Sequence, residues 1–348
     1  MTKTQILLPR RQSSLKSLDK KLKTLNPDHR RKYFILTDEN ILEHCLPTLI
    51  YNVPELESAD FLELPVGEAC KDLSIIHEVW GSLLESGADR SYVIVNLGGG
   101  CVCDAGGFVA ATYKRGIDFI NVPTSLTAMI DAAIGGKTAI NLDGVKNQIG
   151  CFRNPIITCI EPAFLETLPE KEIRSGEYEM MKTLLLTGRE NWQNQNLSDL
   201  EDLIPYCVNF KQSVVKEDPE DHGLRKMLNF GHTIGHALEA YYISQQKKMS
   251  HGEAVGIGIL YALYLSTKKL GLDHACYSQY RSWLTKRIAL PHLTLKEIEQ
   301  LLELMRNDKK RADNETLFVL LQAPGVPVID VSVNDNEIRD AILTSANK

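Results

Sequence analysis

The first half of the chain alternates short apolar runs with amphipathic stretches. Four runs rich in β-branched and aromatic residues end at turn-forming residues, and they predict strands at residues 32–38, 60–65, 92–97 and 118–123. Between the second and third runs, apolar side chains recur at helical spacing from Leu73 to Leu84. Near-continuous apolar strands separated by amphipathic helices favour a parallel sheet covered by helices on both faces. We therefore predict an N-terminal α/β domain of the Rossmann-like type.

The second half of the chain changes to a mostly helical pattern. The change falls near residue 158, so the predicted domains are residues 1–158 and 159–348. Residues 316–321, TLFVLL, predict a late strand, and the charged segment 214–223 predicts a loop or a helix end. The expected architecture is a parallel-sheet α/β domain followed by a mostly α-helical C-terminal domain.

Composition and charge narrow the class of protein. The 348 residues carry a net charge of −6 and are 43% hydrophobic, so nothing drives the whole chain toward nucleic acid or a membrane surface. No apolar run approaches the roughly 18–20 residues that span a bilayer, and the first residues lack the apolar core of a secretory signal. The eight cysteines are scattered without a C-x-x-C pair, which is typical of reduced thiols. We expect a cytoplasmic protein.

A glycine-rich turn follows the third predicted strand, at the strand end where ligands of parallel sheets bind. Gly98, Gly99 and Gly100 open this turn, and they let a ligand approach the backbone without a Cβ in the way. The next helix offers free N–H groups and its positive end to a phosphate. The spacing does not satisfy G-x-G-x-x-G, because position 103 is Cys103. Pyrophosphate binding is one interpretation, and tight packing of strand against helix is the other.

Polar residues also follow the fourth predicted strand. Thr124 and Ser125 stand at its end, and Asp131 interrupts an apolar run, where a buried carboxylate needs a partner. The sequence GGKT is not a P-loop, because the position of the first P-loop glycine is Asp131. Two cations and an amide come next, beside glycines: Lys137, Lys146 and Asn147. We interpret this stretch as anion-binding, and the alternative is a solvated lysine loop.

Three of the nine histidines, His232, His236 and His251, lie within twenty residues. Residues at i and i+4 share a helix face, so His232 and His236 can point at one atom, and His251 can close over it from the next element. Nitrogen and carboxylate ligands suit metals such as zinc, and a catalytic site keeps one coordination position open. The pattern predicts an open catalytic metal site. The alternative is a buried helix whose histidines only satisfy one another.

Glu179 and Lys182 form a second candidate pair in the helical half. They are three residues apart and therefore face the same way on a helix. Spacing alone would favour an ordinary surface ion pair. The apolar run MMKTLLL around Lys182 argues instead for a buried position.

Several long motifs carry a resemblance to a known family. In the first half these are GGGCVCDAGGFVAATYKRG, VPTSLTAMIDAAIGGKTAIN and GVKNQIG; in the second they are LNFGHTIGHALE and HGEAVGIG. Together they resemble the 3-dehydroquinate synthase family, over nearly the whole chain from about Asp38 to about Gly325. The resemblance implies an α/β domain that holds NAD and a mostly helical domain that holds a divalent metal, zinc or cobalt.

The resemblance also implies which residues contact NAD. Asp38 and Asn40 match the positions that meet the adenosine end, and Phe164 and Thr167 lie in a segment that touches the nucleotide. The other implied NAD contacts are Glu68, Lys71, Gly99, Gly100, Asp104, Thr124, Ser125, Lys137 and Lys146.

The implied metal ligands are Glu179, His232 and His251, with His236 on the substrate phosphate. This set differs from the pair His232 and His236 that the spacing suggests. The further polar contacts that the resemblance implies are Asp131, Lys137, Asn147, Lys182, Lys211, Arg225, Asn229 and one of Lys309 and Lys310. Arg115 is implied to reach across a homodimer interface into the neighbouring site. Tyr178 departs from the family, which often has a small residue beside the metal-binding glutamate.

The implied reaction converts 3-deoxy-D-arabino-heptulosonate 7-phosphate, a sugar acid phosphate, to 3-dehydroquinate and phosphate. Transient oxidation by NAD acidifies a neighbouring C–H, phosphate is eliminated, the hydride returns, and ring opening with aldol closure follows. One alternative is another sugar-phosphate cyclase, which forms an inosose or a valiolone; the intact GGKTAIN with Arg225 argues against it. The others are a metal-dependent polyol dehydrogenase and an inactive binding protein, and the full set of polar residues disfavours the latter.

Overall fold

The computed structural model of the chain describes residues 4–9, 13–308 and 315–346. They form two compact units: the first extends to Ile173 and includes Leu200–Gln212, and the second comprises Arg174–Asp199 and the residues from Ser213 onward. Among the described residues, no helix combines the length and the apolar character that crossing a membrane requires.

This division differs from the predicted domain boundary after residue 158. The segment that follows is tied to the start of the chain, because the Glu161 carboxylate accepts a hydrogen bond from the Ser14 amide at 3.0 Å and Ile160 N–H donates to the Leu7 carbonyl at 2.9 Å. Residues 159–173 therefore belong to the first unit. These contacts join residues about 150 positions apart, so a composition change along the chain does not reveal them.

The elements of the first part of the chain, in order, are β1 (Gln5–Leu7), α1 (Ser14–Leu25), β2 (Tyr33–Asp38), α2 (Glu39–His44), α3 (Leu46–Asn52), β3 (Asp60–Leu64), α4 (Leu73–Glu85), β4 (Val93–Gly98), α5 (Gly100–Thr112), β5 (Asp118–Pro123), β6 (Lys137–Leu142), β7 (Val145–Phe152) and β8 (Ile157–Cys159). Those of the second part are α6 (Glu170–Thr187), α7 (Leu200–Glu217), α8 (His232–Ser244), α9 (His251–Lys269), α10 (His274–Thr285), α11 (Leu295–Asp308), β9 (Glu315–Ala323), β10 (Val326–Asn334) and α12 (Asp335–Ala346).

A six-stranded sheet with the order β1-β8-β5-β4-β2-β3 organises the first unit. Every pairing in it is parallel, as the apolar runs predict, and the four predicted strands match within one residue at each end. β4 and β5 pair along their whole length, which sets Gly98 opposite Pro123. The glycine-rich turn and the polar residues Thr124 and Ser125 therefore leave the sheet side by side.

β6 and β7 form an antiparallel hairpin, which the sequence analysis did not predict. The turn consists of Asp143 and Gly144, whose φ angles of 50° and 79° both lie in the left-handed region. Asp-Gly suits the two-residue turns of tight hairpins because these turns require positive φ. That dipeptide was the signal in the sequence, although the surrounding polar residues hid the alternation of the strands.

α9 is the central helix of the second unit, and it is buried along most of its length. Its apolar residues occur on all sides, as is typical of a helix enclosed by others. Glycines allow a very close approach to α8: a Cβ on Gly258 would lie 2.0 Å from the Gly231 carbonyl oxygen. The close crossing matters because α8 begins at His232 and α9 begins at His251. The predicted late strand lies within β9, which pairs antiparallel with β10.

Candidate active-site residues in the two units

The glycine-rich turn offers backbone groups rather than side chains to a ligand. Gly99 is the N-cap of α5, and no side chain caps this helix. A Cβ on Gly99 would lie 3.5 Å from Ser125 Oγ, and a Cβ on Gly100 would lie 3.1 Å from Ala132 Cβ. Beside the turn, the buried Thr124 hydroxyl has no hydrogen-bond partner among the described residues. An uncapped helix start next to an unsatisfied hydroxyl fits the pyrophosphate of a dinucleotide.

Lys71 connects three of the predicted site residues. Its ammonium group lies 2.9 Å from an Asp104 carboxylate oxygen and donates to Asn147 Oδ1 at 2.5 Å. Burial alone would lower the pKa of Lys71, but the Asp104 and Glu68 carboxylates raise it above its ordinary value. Lys71 is therefore a buried, charged side chain that connects Asp104 of α5 with Asn147 of the hairpin.

Glu68 fixes the other side of the hairpin. Asn141 Nδ2 donates to Glu68 Oε2 at 3.0 Å, and Lys146 Nζ lies 3.5 Å from Oε1. Although burial raises the pKa of Glu68, Lys71 and Asn141 together hold it below its ordinary value. Lys146 thus faces an acid. Asn141 was missed by the sequence reasoning, although it belongs to the quoted segment GGKTAIN.

Asp131 has the partner that a partly buried carboxylate needs. The Lys211 ammonium contacts the Asp131 carboxylate and donates to the Asp131 carbonyl oxygen at 2.6 Å. Asp131 belongs to a short wide helical turn, Ala128–Ala132, that follows β5. The pair brings together two predicted site residues that are 80 positions apart in the chain.

The remaining predicted residues of the first unit occupy more dispersed positions. Asp38 ends β2 and accepts a hydrogen bond from the Ile41 amide at 3.1 Å, so it caps α2, and burial raises its pKa. Phe164 is buried, whereas Asn40, Arg115, Lys137 and Thr167 are exposed. Arg115 has a φ of 66°, in the left-handed region, and Lys114 before it has 48°.

In the second unit, Glu179 lies between two imidazoles. It projects from α6 with a side chain that is only 1% exposed. Its Oε1 atom lies 3.6 Å from His232 Nε2 and 3.5 Å from His251 Nε2. Lys182 Nζ lies 2.6 Å from the other oxygen. The surface-pair interpretation of Glu179 and Lys182 is therefore wrong, because both side chains are buried.

Glu179 is held in its ionised form by its neighbours. Burial would raise the pKa of Glu179, but Lys182, His232 and His251 hold it well below its ordinary value. Among the described residues, neither carboxylate oxygen accepts a hydrogen bond of normal geometry, although Lys182 Nζ lies 2.6 Å from one of them. Burial, followed by the neighbouring Lys182 charge, lowers the pKa of His232 to about 3. Metal ligands require a carboxylate and neutral imidazoles. Glu179 and His232 are in these states, whereas hydrogen bonds to Glu179 and Glu239 outweigh burial and raise the pKa of His251 to about 10, so His251 must lose a proton to bind an ion.

The separations also agree with metal coordination. In a tetrahedral zinc site with bonds of about 2.0–2.1 Å, neighbouring ligand atoms lie about 3.3–3.4 Å apart. The 3.5 and 3.6 Å distances from Glu179 to the two imidazoles are close to this value. The ligand atoms of His232, His236 and His251 all lie within 4.8 Å of one another. Glu179 and these histidines therefore fit a divalent ion.

Two further predicted residues flank this group along the chain. Arg225 is 3% exposed, and its guanidinium donates to the Pro219 carbonyl at 2.7 Å. Its backbone N–H donates to the Asp218 carboxylate at 3.0 Å. Asn229 is exposed and ends the short helix Leu224–Asn229. Lys309 and Lys310 lie outside the described residues.

Two family models match adjoining segments of the sequence. Residues 61–175 match the model described as 3-dehydroquinate synthase N-terminal, and residues 176–311 match the one described as 3-dehydroquinate synthase C-terminal. The chain belongs to the 3-dehydroquinate synthase family. A 3-dehydroquinate synthase of Parabacteroides distasonis is 39% identical over 322 residues, or 90% of each chain. One of Leptospira interrogans is 41% identical over 321 residues, covering 89% of this chain and 87% of that protein.

Solved structures of sugar-phosphate cyclases have the same fold. A 2-deoxy-scyllo-inosose synthase complexed with carbaglucose-6-phosphate, NAD+ and Co2+ matches with a TM-score of 0.78 and 25% identity, over 92% of this chain and 93% of that chain. A 2-epi-5-epi-valiolone synthase from Streptomyces hygroscopicus with NAD+ and Zn2+ bound matches with a TM-score of 0.79 and 23% identity, over 99% and 97%. The predicted fold class, a parallel-sheet α/β part with a helical C-terminal part, is confirmed.

His236 is the residue on which spacing and the 3-dehydroquinate synthase resemblance differ. Its ring centroid lies 5.2 Å from that of His232 and 5.8 Å from that of His251, so the helical spacing does bring the imidazoles together. Glu179, however, stands against His232 and His251. Adding His236 to that trio would give four protein ligands, which is the pattern of closed structural sites.

Tyr178, beside the metal-binding candidate Glu179, points into the core rather than into the site. Its ring packs edge-on against Trp283 with centroids 5.8 Å apart. On another side it meets Gly256 of α9, where a Cβ would lie 2.7 Å from the ring. The glycine accommodates the bulk of the tyrosine, so Glu179 keeps its position.

Proposed function

We propose that this chain converts 3-deoxy-D-arabino-heptulosonate 7-phosphate to 3-dehydroquinate and phosphate, as a carbon–oxygen lyase of the shikimate pathway. The observation that carries the proposal is a buried carboxylate that lies 3.5 and 3.6 Å from two imidazoles, in a chain about 40% identical to named 3-dehydroquinate synthases. The inosose and valiolone synthases share the fold at 25% and 23% identity, so sequence similarity favours the dehydroquinate reaction.

In this proposal, Glu179, His232 and His251 hold one divalent ion, zinc or cobalt. When bound, the ion supplies Lewis acidity to two neighbouring substrate hydroxyls. The proposal is supported by the donor set and by the Co2+ and Zn2+ named in the related cyclase structures. With three protein ligands, a position remains open for substrate. His236 then serves the substrate phosphate.

The first unit is proposed to hold NAD, which supplies a hydride acceptor and returns the hydride within the same turnover. The start of α5 and the Thr124 hydroxyl bind the pyrophosphate. Lys71, Asp104 and Glu68 keep the hairpin against that helix. Asp38, at the end of β2, is assigned to the adenosine end.

The basic side chains are proposed to bind the two anionic groups of the substrate. Arg225 can grip a carboxylate or phosphate through two N–H groups, and Lys211 is oriented by Asp131. Lys182, beside Glu179, keeps a positive charge next to the bound hydroxyls. Lys137, Asn147, Asn229 and one of Lys309 and Lys310 complete the predicted contacts.

We also propose that the enzyme is a cytoplasmic homodimer to which Arg115 contributes across the interface. Arg115 is exposed, and it follows another left-handed residue, Lys114, in a turn. Such conformations cost energy and persist where the surroundings impose them, often at functional sites. A strained turn that presents an exposed arginine supports this role.

The test is an assay with the seven-carbon substrate and trace NAD, before and after treatment with a chelator. The proposal predicts one phosphate released per substrate, no net NADH, and loss of activity with the chelator that added Zn2+ or Co2+ restores. Absence of phosphate release with the metal-loaded protein would reject the dehydroquinate reaction. Release only from hexose or heptose phosphates would indicate an inosose or valiolone synthase, and net NADH without phosphate would indicate a polyol dehydrogenase.

A further inference from the structure

Glu239 is an acidic residue that the sequence reasoning did not select, and it contacts one of the proposed metal ligands. Its Oε2 atom lies 3.1 Å from His251 Nδ1. On the opposite side of the same ring, His251 Nε2 lies 3.5 Å from Glu179 Oε1. The Glu239 side chain is 12% exposed. The His251 imidazole is thus held between two carboxylates, one at each nitrogen.

We propose that Glu239 is a positioning residue for the metal site: it accepts the Nδ1–H of His251 and so directs the Nε2 lone pair toward the ion. The inference rests on the proposed function, because it assumes an ion beside Glu179. A neutral imidazole carries its proton on one nitrogen only, and the hydrogen bond made by that nitrogen decides which tautomer is present. Only the tautomer protonated at Nδ1 can coordinate through Nε2.

The imidazole rings of His232 and His251 are oriented by different contacts. His232 is buried, and its Nδ1 lies 3.3 Å from the Phe230 carbonyl oxygen, so the backbone two residues away orients the ring. The His251 side chain is 37% exposed, and its acceptor comes from another helix, α8. A more exposed ring has more freedom to rotate. The Glu239 carboxylate therefore orients the ring of His251, as burial and the backbone orient the ring of His232.

The backbone of His251 is already fixed, which isolates the role of Glu239. Ser250 and Glu253 form a reciprocal cap at the start of α9, with Ser250 N–H donating to Glu253 at 2.8 Å and Glu253 N–H donating to Ser250 Oγ at 3.2 Å. Gly252 N–H also donates to Ser175 Oγ at 3.1 Å. What these contacts leave undetermined is the ring orientation, and Glu239 determines it.

A carboxylate acceptor should also strengthen the ligand itself. An imidazole that donates its remaining N–H to a carboxylate becomes a more basic metal ligand, and removal of such an acceptor typically weakens metal binding by about 10–100-fold. A neutral acceptor of the same shape should retain the tautomer but lose the added basicity. Glu239→Gln is therefore expected to fall between the wild type and Glu239→Ala.

The experiment measures the affinity of the metal-free, full-length protein for Co2+ by competition with a chromophoric chelator, together with the visible absorption spectrum of the bound Co2+. We expect Glu239→Ala to weaken binding about 10–100-fold and to change the spectrum, with Glu239→Gln intermediate. Glu303→Gln is the charge-matched control, because Glu303 is exposed on α11 of the same unit; it should bind as the wild type does.

Each outcome decides a separate point. If Glu239→Ala binds Co2+ within twofold of the wild type with the same spectrum, the positioning role is rejected while the metal site stands. If the wild type binds no ion, or if Glu179→Gln leaves binding unchanged, the proposed metal site itself is rejected, and the inference with it. Should Glu239→Ala fail to fold, Glu239→Gln still decides, since wild-type affinity and an unchanged spectrum in that variant would contradict the role of the carboxylate charge.

Discussion

The two units prepare their ligand sites in opposite ways. In the first unit Lys71 and Lys211 pair with Asp104 and Asp131, and the groups that remain for a ligand belong mainly to the backbone at the start of α5. In the second unit the central group is a side chain, Glu179, whose buried carboxylate contacts Lys182 and lies between two imidazoles. The first site depends on close approach of a ligand to the backbone, and the second depends on a charged side chain.

This difference follows from what each ligand must offer. A dinucleotide is large, and glycines with a helix start bind it through many weak contacts that need close approach. A metal ion is small and strongly charged, and it binds through a few charged or polar side-chain atoms, here a carboxylate and two imidazoles. Substitutions should therefore act by size in the first unit and by charge in the second.

The largest effect is expected from Glu179→Ala or His251→Ala. Losing the Lewis acid should remove about 4 kcal/mol of transition-state stabilisation, or about 10³-fold in kcat. NAD affinity should stay within about twofold of the wild type, because the glycine-rich turn belongs to the first unit. Steady-state turnover and NAD titration measure the two effects.

His292→Ala is the control for the histidine variant, since His292 is exposed between α10 and α11. It should retain full turnover. Activity of either ligand variant at matched metal content would contradict the ligand assignment.

Gly99→Ala should give the next largest effect, now on NAD rather than on metal. Gly99 has a φ of −71°, and a Cβ there would make only an ordinary contact, 3.5 Å from Ser125 Oγ. The fold should therefore tolerate alanine, while the methyl group blocks the approach of phosphate to the backbone. Loss of one or two hydrogen bonds to a charged group predicts NAD binding weaker by about 10–100-fold.

Gly81→Ala provides the matched comparison, because Gly81 lies within α4 and nothing stands within 4 Å of its Cβ position. It should leave NAD binding unchanged and stabilise the helix by up to about 1 kcal/mol. Equal NAD affinity in Gly99→Ala and Gly81→Ala would contradict the role of the glycine-rich turn.

A smaller effect is expected from Asp218→Asn, which tests how Arg225 is held. The Asp218 carboxylate accepts hydrogen bonds from the backbone N–H groups of Arg225, Gly223 and His222. The amide keeps one acceptor oxygen, so we expect a modest displacement of Arg225 and a KM roughly 3–10-fold higher with kcat little changed. An unchanged KM would contradict the role assigned to this turn.

The pH dependence of Asp218 has a defined sign. The Arg225 N–H, with those of Gly223 and His222, lowers the pKa of Asp218 from 3.8 to about 2. A carboxyl whose pKa is lowered on folding stabilises the protein above its unfolded pKa. The stability advantage of the wild type over Asp218→Asn should therefore be constant above about pH 4 and disappear as the pH falls to 2. Acid unfolding of both proteins tests this.

The smallest effect is expected from Gly144→Ala in the hairpin turn. No atom of the described residues lies within 4 Å of its Cβ position, so the expected cost comes from the φ of 79°. That cost is about 1 kcal/mol, or a melting temperature lower by about 2–4 °C, with metal affinity unchanged. A stability equal to the wild type would contradict the left-handed conformation of the turn.

The sequence predicts most of the first unit because its features are local. The four strands show as apolar runs, and the parallel sheet places the glycine-rich turn beside Thr124 and Ser125. β1 and β8 were missed because three residues are too few to show a period. The hairpin was missed because β7 is mostly exposed and polar and lacks a clear alternation.

The second unit resists such prediction because its site depends on contacts between distant segments. The spacing of His232 and His236 suggested a pair on one helix face. Glu179, however, comes from α6, more than fifty residues earlier. Only the resemblance implied that Glu179 is a metal ligand. Glu239 lies three residues after His236, but its distance to His251 depends on the close crossing of α8 and α9. Sequence spacing contains no information about that crossing.

The most direct test of the charge-based site is a titration of metal-free protein with Co2+, comparing the wild type with Glu179→Gln, which keeps the shape of the side chain and removes its charge. We predict one tightly bound ion per chain in the wild type and an affinity at least 100-fold lower in the variant. The reason is that the variant removes the charge that pairs with the ion, and losing one partner of a buried charge pair costs about 3 kcal/mol or more. Equal affinity in the two proteins would contradict the assignment of Glu179, His232 and His251 as the metal ligands.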